Sequence, residues 1–401
     1  MKRFDLFRSL KRDEGGRMLL IVLDGLGGLP RNPAGKTELE TANTPNMDAL
    51  AAESVCGLHM PCAPGITPGS GPAHLGLFGY DPFEYNIGRG VLEALGIDFE
   101  LKHGDLAIRI NFCTLDDKGL VTDRRAGRIA TEVNAKLCEK LRKIKLKGVE
   151  LFVEPVKEHR AAVVLRGPGL HGGLNDSDPQ VTGHPPLEVK ASTKQAEKAA
   201  RLCNEFTARA REILKNDHPA NMVLLRGIDR HELLSNFADI FGARAAAIAT
   251  YPMYRGLARL VGMDVLKTGE TVESEIETLR KDGAGYDFVY FHVKKTDSYG
   301  EDGNFDAKVH VIDDWDKLVP RVRKMGFDVI AITGDHSTPA VMKGHSWHPV
   351  PVLLWSGLCR PDDVKVFGER ACNHGGLGVF TAVDLIPMML ANAGRLQKYG
   401  A

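Results

Sequence analysis

Cysteine pairs, charge imbalance and long apolar runs are all missing from this sequence. Its seven cysteines (Cys56, Cys62, Cys113, Cys138, Cys203, Cys359, Cys372) are scattered, and no two form a Cys-x-x-Cys pair. That leaves neither a zinc knot nor a disulfide framework to organise the fold, and it predicts reduced thiols in a cytoplasmic protein. Lys plus Arg and Asp plus Glu number 52 each. With no net charge and no basic block, composition gives no support to nucleic acid or an anionic membrane as the partner. A small molecule is the default ligand. The first apolar run, Met18–Leu23, is too short for a signal-peptide core or a membrane span, so neither export nor anchoring is expected. Internal repeats and low-complexity segments are absent too.

What is present is apolar content of 43% over 401 residues, enough for a large core in two domains or one with a big insertion. Residues 1–17 read as a polar extension. Met18–Leu23 then reads as a strand buried on both faces, ending in Asp24-Gly25-Leu26-Gly27-Gly28. An acid at the carboxyl end of such a strand stands where open α/β sheets hold ligands, although a turn aspartate before glycine has the same local look. Thr44 and Pro45 mark a helix start, with Met47, Leu50 and Ala51 on one face. Ser70 lies between Gly69 and Gly71, with Pro72 next. This pattern predicts a helix N-terminus, where free N–H groups and the macrodipole favour an anion on the serine. An ordinary N-cap serine fits the same pattern.

From about residue 100 the texture turns to α+β. Residues 106–115 alternate like a half-buried strand, 129–146 form a basic amphipathic helix, and 149–166 form a strand pair. A Gly/Pro/Asn/Asp-rich loop covers 167–186, a helix 193–215, and a strand 221–227 that ends in a cation. After about residue 242 the α/β texture returns. The run 288–293 leads to Asp297 and Glu301, 329–333 leads to Asp335 and His336, and His345 precedes a strand at 349–355. Carboxylates and imidazoles at one sheet rim, beside a helix-terminal serine, are what a two-metal phosphoryl-transfer site needs.

Several segments then match a known pattern: Leu23-Asp24-Gly25, Asn43-Thr44-Pro45-Asn46-Met47-Asp48, Gly69-Ser70 with His74, Thr296-Asp297, Thr333-Gly334-Asp335-His336-Ser337, and His345-Ser346 with Pro349-Val350-Pro351. They resemble the alkaline phosphatase superfamily and, more closely, the archaeal-type cofactor-independent phosphoglycerate mutases. Thr122 to Arg128, His159-Arg160-Ala161, Gly256 to Arg259 and Phe367 to Arg370 resemble blocks of that family as well.

The resemblance implies an α/β fold, with an alkaline-phosphatase-like, mostly parallel sheet flanked by helices and an inserted α+β domain. Residues 1–90 and 243–401 would form the metal-binding domain, and 91–242 a substrate-clamping insertion that closes to exclude water. Ser70 would be the nucleophile that becomes phosphoserine while 2- and 3-phosphoglycerate interconvert, with no 2,3-bisphosphoglycerate requirement. Asp24, Ser70, Asp335 and His336 would hold one divalent ion, and Asp297 and His345 the other. Where the family usually carries a histidine, this chain has Glu301. A carboxylate there makes a harder shell, leaning toward manganese or magnesium over zinc. Mn2+ is the expected ion, with Mg2+ and Zn2+ as alternatives, and His348 is a spare imidazole nearby.

The substrate's phosphate and carboxylate suit guanidinium forks, and Arg124, Arg125, Arg128, Arg160, Arg226 and Arg255 are the candidates. Asp123, His159 and Asp176 remain open as acid or base. Two alternatives stay open as well: a phosphatase or phosphotransferase acting on another small hydroxyl compound such as homoserine, and a catalytically weak metabolite-binding relative, which Glu301 alone motivates.

Overall fold

The computed structural model describes residues 2–85 and 87–400. Thirteen strands form among them. In chain order they are β1 (Met18–Leu23), β2 (Val55–Met60), β3 (Leu106–Leu115), β4 (Val121–Asp123), β5 (Glu150–Lys157), β6 (Arg160–Arg166) and β7 (Met222–Arg230). Then follow β8 (Ala245–Ile248), β9 (Asp264–Val265), β10 (Phe288–Val293), β11 (Val329–Thr333), β12 (Val350–Ser356) and β13 (Gly378–Thr381).

The chain divides into two compact units, one from residues 1–86, 235–251 and 261–401, the other from 87–234 and 252–260. The first is built on an eight-stranded sheet in the order β13-β2-β12-β11-β1-β10-β8-β9. Every neighbouring pair is parallel except the two that involve β12. The continuous apolar run of β1 fits its place, because the central strand is covered on both faces and all six of its residues are buried. Each such Leu or Ile contributes about 1.5–3 kcal/mol by leaving water. The core continues through Phe291, Trp315, Ile330 and Leu353.

Residues 1–17 are more than a polar extension. Arg3–Leu10 is a helix in which Phe7 is buried and the Phe4 ring meets Tyr80 at 5.1 Å, edge to face. Phe4 and Phe7 stand three residues apart, so they share one helix face and anchor it. Arg395, 1% exposed, holds the next stretch by donating to Gly16 O at 2.9 Å.

The second unit holds a five-stranded antiparallel sheet, β4-β3-β6-β5 with β7 on β3. Strand β3 is buried on both faces rather than one. Leu106, Ile108, Ile110 and Phe112 face a core shared with the helices Thr131–Leu141 and Glu197–Leu214. Gly90 of the helix Arg89–Gly96 lies so near Ala107 O that a Cβ there would collide with it. The helix expected over 129–146 spans only Thr131–Leu141, since the buried Ile144 and Leu146 are spaced two apart, outside a helical stripe. Strand β7 runs on to Arg230, past Arg226.

The unit boundaries also differ from 90/91 and 242/243. Residues 235–251 belong with the first sheet, whereas the helix Pro252–Leu260 belongs to the second unit. Close approach explains the latter: a Cβ on Gly256 would strike Leu92 O, and one on Gly96 would strike Pro252 O. No helix among the described residues is long and apolar enough to cross a membrane.

Candidate active site

Strands β1, β10 and β11 run parallel, so their carboxyl ends share one rim of the first unit's sheet. Asp24 follows β1, Asp297 stands in the helix Lys295–Glu301 after β10, and Asp335 and His336 follow β11. Because β12 is antiparallel to β11, its amino end lies on the same rim and brings His345 with it. Ser70 is the first residue of the helix Ser70–Leu77, with Gly69 at the N-cap. It is therefore a helical residue beside first-turn amides that lack intrahelical acceptors, not the cap itself.

These groups meet. Ligand atoms of Asp24, Asp335 and His336 lie within 4.8 Å of one another, and so do those of Asp297, His336 and His345. His336 Nε2 is 3.2 Å from Ser70 Oγ, 3.1 Å from Asp335 Oδ2 and 3.6 Å from Asp24 Oδ1. The His336 and His345 rings stack with centroids 3.7 Å apart. Asp24 Oδ1 is buried and accepts no hydrogen bond, and Asp335 Oδ2 is buried with only imidazole nitrogens beside it. Leaving a carboxylate oxygen unpaired costs about 1–3 kcal/mol or more, and two buried carboxylates that converge with imidazole nitrogens fit a divalent cation.

The supporting groups set protonation. Thr338 Oγ1 donates to Asp297 Oδ1 at 2.8 Å, so its oxygen is left to accept from His336 Nδ1 at 3.0 Å. Burial holds His336 below the ordinary histidine value, against the pull of Asp335 and Asp24. With the proton on Nδ1, the lone pair of Nε2 faces Ser70. Burial opposes ionisation of Asp24, yet Lys294, His292 and His336 hold its carboxyl well below the usual range. Burial and Asp24 likewise oppose ionisation of Asp297, which His345, Lys294 and His336 keep down at about 2. His345 is pushed down by burial but held at about 9 by Asp297 and Pro68 O. Lys294 bridges the two aspartates, donating to Asp24 Oδ2 at 3.1 Å and to Asp297 Oδ2. His74, one helical turn after Ser70, sits 2.9 Å from Ser70 O and 3.1 Å from Asp335 Oδ2.

Glu301 lies at the margin. Its carboxylate is 3.8 Å from His345 Nε2, and its side chain is 56% exposed. His348 is further out, bonded to Ser346 Oγ.

In the second unit, the buried His159 is surrounded by Arg160, Arg109, Arg125 and Arg128, which add to burial in pushing the imidazole down to about 4. Arg125 and Arg128 have no carboxylate within ion-pair distance among the described residues. Arg109 is lowered to about 10 by burial, countered by Glu93 and reinforced by Arg89, Arg160 and Arg226. Arg124 instead grips Asp178 through two bonds of 2.9 and 2.8 Å, and Arg226 leans on the same carboxylate at 3.4 Å. Arg255 is paired with Asp98 at 2.8 Å. Asp123 accepts the Arg125 and Gly127 amides and Asp176 accepts that of Gly227, so both brace turns.

Relatives match the chain over its full length. The Thermus thermophilus protein named "probable 2,3-bisphosphoglycerate-independent phosphoglycerate mutase" is 49% identical over 406 residues, covering 100% of both chains. The chain belongs to the 2,3-bisphosphoglycerate-independent phosphoglycerate mutase family. A relative of the same name from Aquifex aeolicus is 50% identical over 407 residues, covering 99% of this chain and 100% of its own. The model of the family described as 2,3-bisphosphoglycerate-independent phosphoglycerate mutase matches residues 51–221. Among solved structures, a Pyrococcus horikoshii protein superposes with a TM-score of 0.84 at 33% identity, covering 96% of this chain and 100% of that one. The cofactor-independent phosphoglycerate mutase of Thermoplasma acidophilum gives 0.71 at 31%, covering 94% and 100%.

For this mutase-family chain, sequence reasoning missed Lys294, Thr338, Arg109 and Arg89. Lys294 stands two residues before the Thr296-Asp297 motif and was legible there. Arg109 carried no signal, because a lone arginine in an apolar strand gains neighbours only when the sheet forms.

Proposed function

We propose that this chain interconverts 2-phosphoglycerate and 3-phosphoglycerate through a phosphoserine at Ser70. The observation that carries the reading is Ser70 Oγ, 3.2 Å from Nε2 of His336, at a rim where Asp24 Oδ1 is buried without a donor and the Asp335 carboxylate converges on the same imidazole. Full-length relatives named as mutases favour this acceptor over water or homoserine. Ser70 Oγ forms a bond to phosphorus as the bond to the glycerate oxygen breaks, and the other glycerate hydroxyl later takes the phosphoryl group back.

Asp24, Ser70, Asp335 and His336 would hold one divalent ion, and Asp297, His345 and Glu301 a second, with Mn2+ the expected metal. Bound there, the ions would lower the pKa of the Ser70 hydroxyl and draw charge from the phosphoryl oxygens. Lys294 neutralises Asp24 and Asp297 while the anion arrives. In the second unit, Arg109, Arg125, Arg128 and Arg160 supply the anion recognition, joined by Arg89, whereas Arg124, Arg226 and Arg255 serve mainly as braces through Asp178 and Asp98. His159, kept neutral among the arginines, is the group of the three named acid–base candidates that is free to move a proton. A cytoplasmic location belongs to the same proposal, and all seven cysteines are free thiols.

The test is an assay of 2-phosphoglycerate formed from 3-phosphoglycerate with Mn2+, with phosphate release followed in parallel. Mutase turnover without free phosphate is expected. Phosphate release with no 2-phosphoglycerate would assign a phosphatase instead.

A further inference from the structure

Lys308 is fully buried on the helix Phe305–Asp316, beneath the rim that carries Asp24 and Asp335. Its Nζ donates to three backbone carbonyls: Gly25 O at 2.8 Å, Gly27 O at 3.0 Å and Thr338 O at 2.9 Å. A neutral amine has only two hydrogens and would point its lone pair at the third carbonyl, so the geometry requires the ammonium form. None of the three acceptors is a carboxylate. The nearby acids Glu38 and Glu369 are engaged elsewhere on the same two loops: Glu38 accepts from Leu29 N and Ala340 N, and Glu369 from Gly28 N and the Thr37 hydroxyl.

The gripped segments flank the candidate ligands. One runs from Gly25 to Leu29, directly after Asp24; the other runs from Thr338 to Ala340, one residue beyond Asp335 and His336. They interlock through Gly25 N to Asp335 Oδ1 at 2.9 Å and Thr338 N to Gly27 O at 3.0 Å. A side chain on Gly25 would run into that of Thr338 and one on Gly27 into that of Ser337, so the first loop packs its glycine backbone directly against the second. Three carbonyl dipoles aimed at one point repel each other unless a cation stands there, which is how carbonyl rings hold dehydrated monovalent ions.

We propose that Lys308 is a built-in monovalent cation, a positioning residue whose ammonium sets the spacing of the Asp24 loop against the Asp335–His336 loop and so presets the divalent-ion ligands. The inference rests on the metal reading above. Without the ammonium the carbonyls separate, and the ligands they carry lose their register.

Two variants and two measurements test it. Lys308→Met keeps the apolar stem and removes the charge, while Lys308→Ala leaves room for propylammonium, which restores the missing atoms. In metal-free protein, hydrogen exchange at the Gly25, Thr338 and Ala340 amides should quicken at least about tenfold in both variants. Mn2+ affinity should fall about 10–100-fold, the range seen when supporting groups around metal ligands are lost. Added propylammonium should restore both properties in Lys308→Ala and neither in Lys308→Met. Wild-type exchange and Mn2+ affinity in Lys308→Met would overturn the proposal, as would a Lys308→Ala protein that propylammonium leaves unchanged, folded or not. If the wild-type protein itself binds no Mn2+, the metal reading falls, and the exchange comparison still decides the role of Lys308.

Discussion

His336 Nδ1–H donates to Thr338 Oγ1 across 3.0 Å, because the threonine's own hydrogen is committed to Asp297 Oδ1. One hydroxyl thereby fixes which imidazole nitrogen faces Ser70. Replacing Thr338 by Val leaves Nδ1–H buried without an acceptor, at an expected stability cost of about 1–3 kcal/mol. Mn2+ affinity should drop about tenfold or more, and Thr338→Ser should recover most of it. Titration calorimetry on the three proteins measures both differences; equal affinity in Thr338→Val would mean that the tautomer does not matter.

Ser70→Ala should lower mutase turnover by about 10³-fold or more, since a covalent path has no substitute nucleophile. Acid-quenched wild-type enzyme exposed to 3-phosphoglycerate should show a phosphate on the peptide containing Ser70 by mass spectrometry. A phosphate mapped to another residue, or to none, would end the phosphoserine assignment.

Two metal ions per chain are expected, with activity lost on chelation and restored by Mn2+. Glu301 is mostly exposed and 3.8 Å from His345, so the second ion should be the weaker of the two. Glu301→Ala should weaken it further, while Glu301→His should shift preference toward Zn2+. Metal analysis that finds a single ion, unaffected by Glu301→Ala, would remove Glu301 from the ligand set.

Arginine substitutions should separate recognition from bracing. Arg160→Ala and Arg125→Ala are expected to raise KM for 3-phosphoglycerate about 10–100-fold, the loss of one charge-assisted contact. Arg255→Ala breaks the partly exposed Asp98 pair and should cost no more than about 1 kcal/mol of stability, with KM little changed. Steady-state kinetics on the three variants would contradict this division if Arg255→Ala alone raised KM.

Glu275, 3% exposed, has an Oε1 without a partner, and burial pushes its carboxyl up to about 8. A folded-state value raised above the unfolded one contributes stability that is fully present below pH ~4.3 and is lost as pH rises through about 8. Glu275→Gln should therefore gain on the wild type steadily across that window, by ~5 kcal/mol in all, and then run level. Denaturant melts at pH 5, 7 and 9 would show it; a constant difference would mean that Glu275 is ionised in the fold.

Much of this was legible in the chain itself. The apolar run of Met18–Leu23 pointed to a strand buried on both faces, since six consecutive large apolar residues leave no face for water and the run is short for a helix. The motifs around Asp24, Ser70, Asp297, Asp335 and His345 named the candidate site, since residue types and strand ends are local properties. Tertiary structure decided the rest. Only sheet order brings residues 24, 297, 335 and 345 to one rim, and only the reversed direction of β12 puts His345 there. Arg3–Leu10 became an anchored helix through Tyr80, and Pro252–Leu260 joined the second unit through glycine contacts far away in sequence. Lys308 shows the limit most plainly: its neighbours are three carbonyls from two distant loops, and no side-chain pattern records where a carbonyl will point.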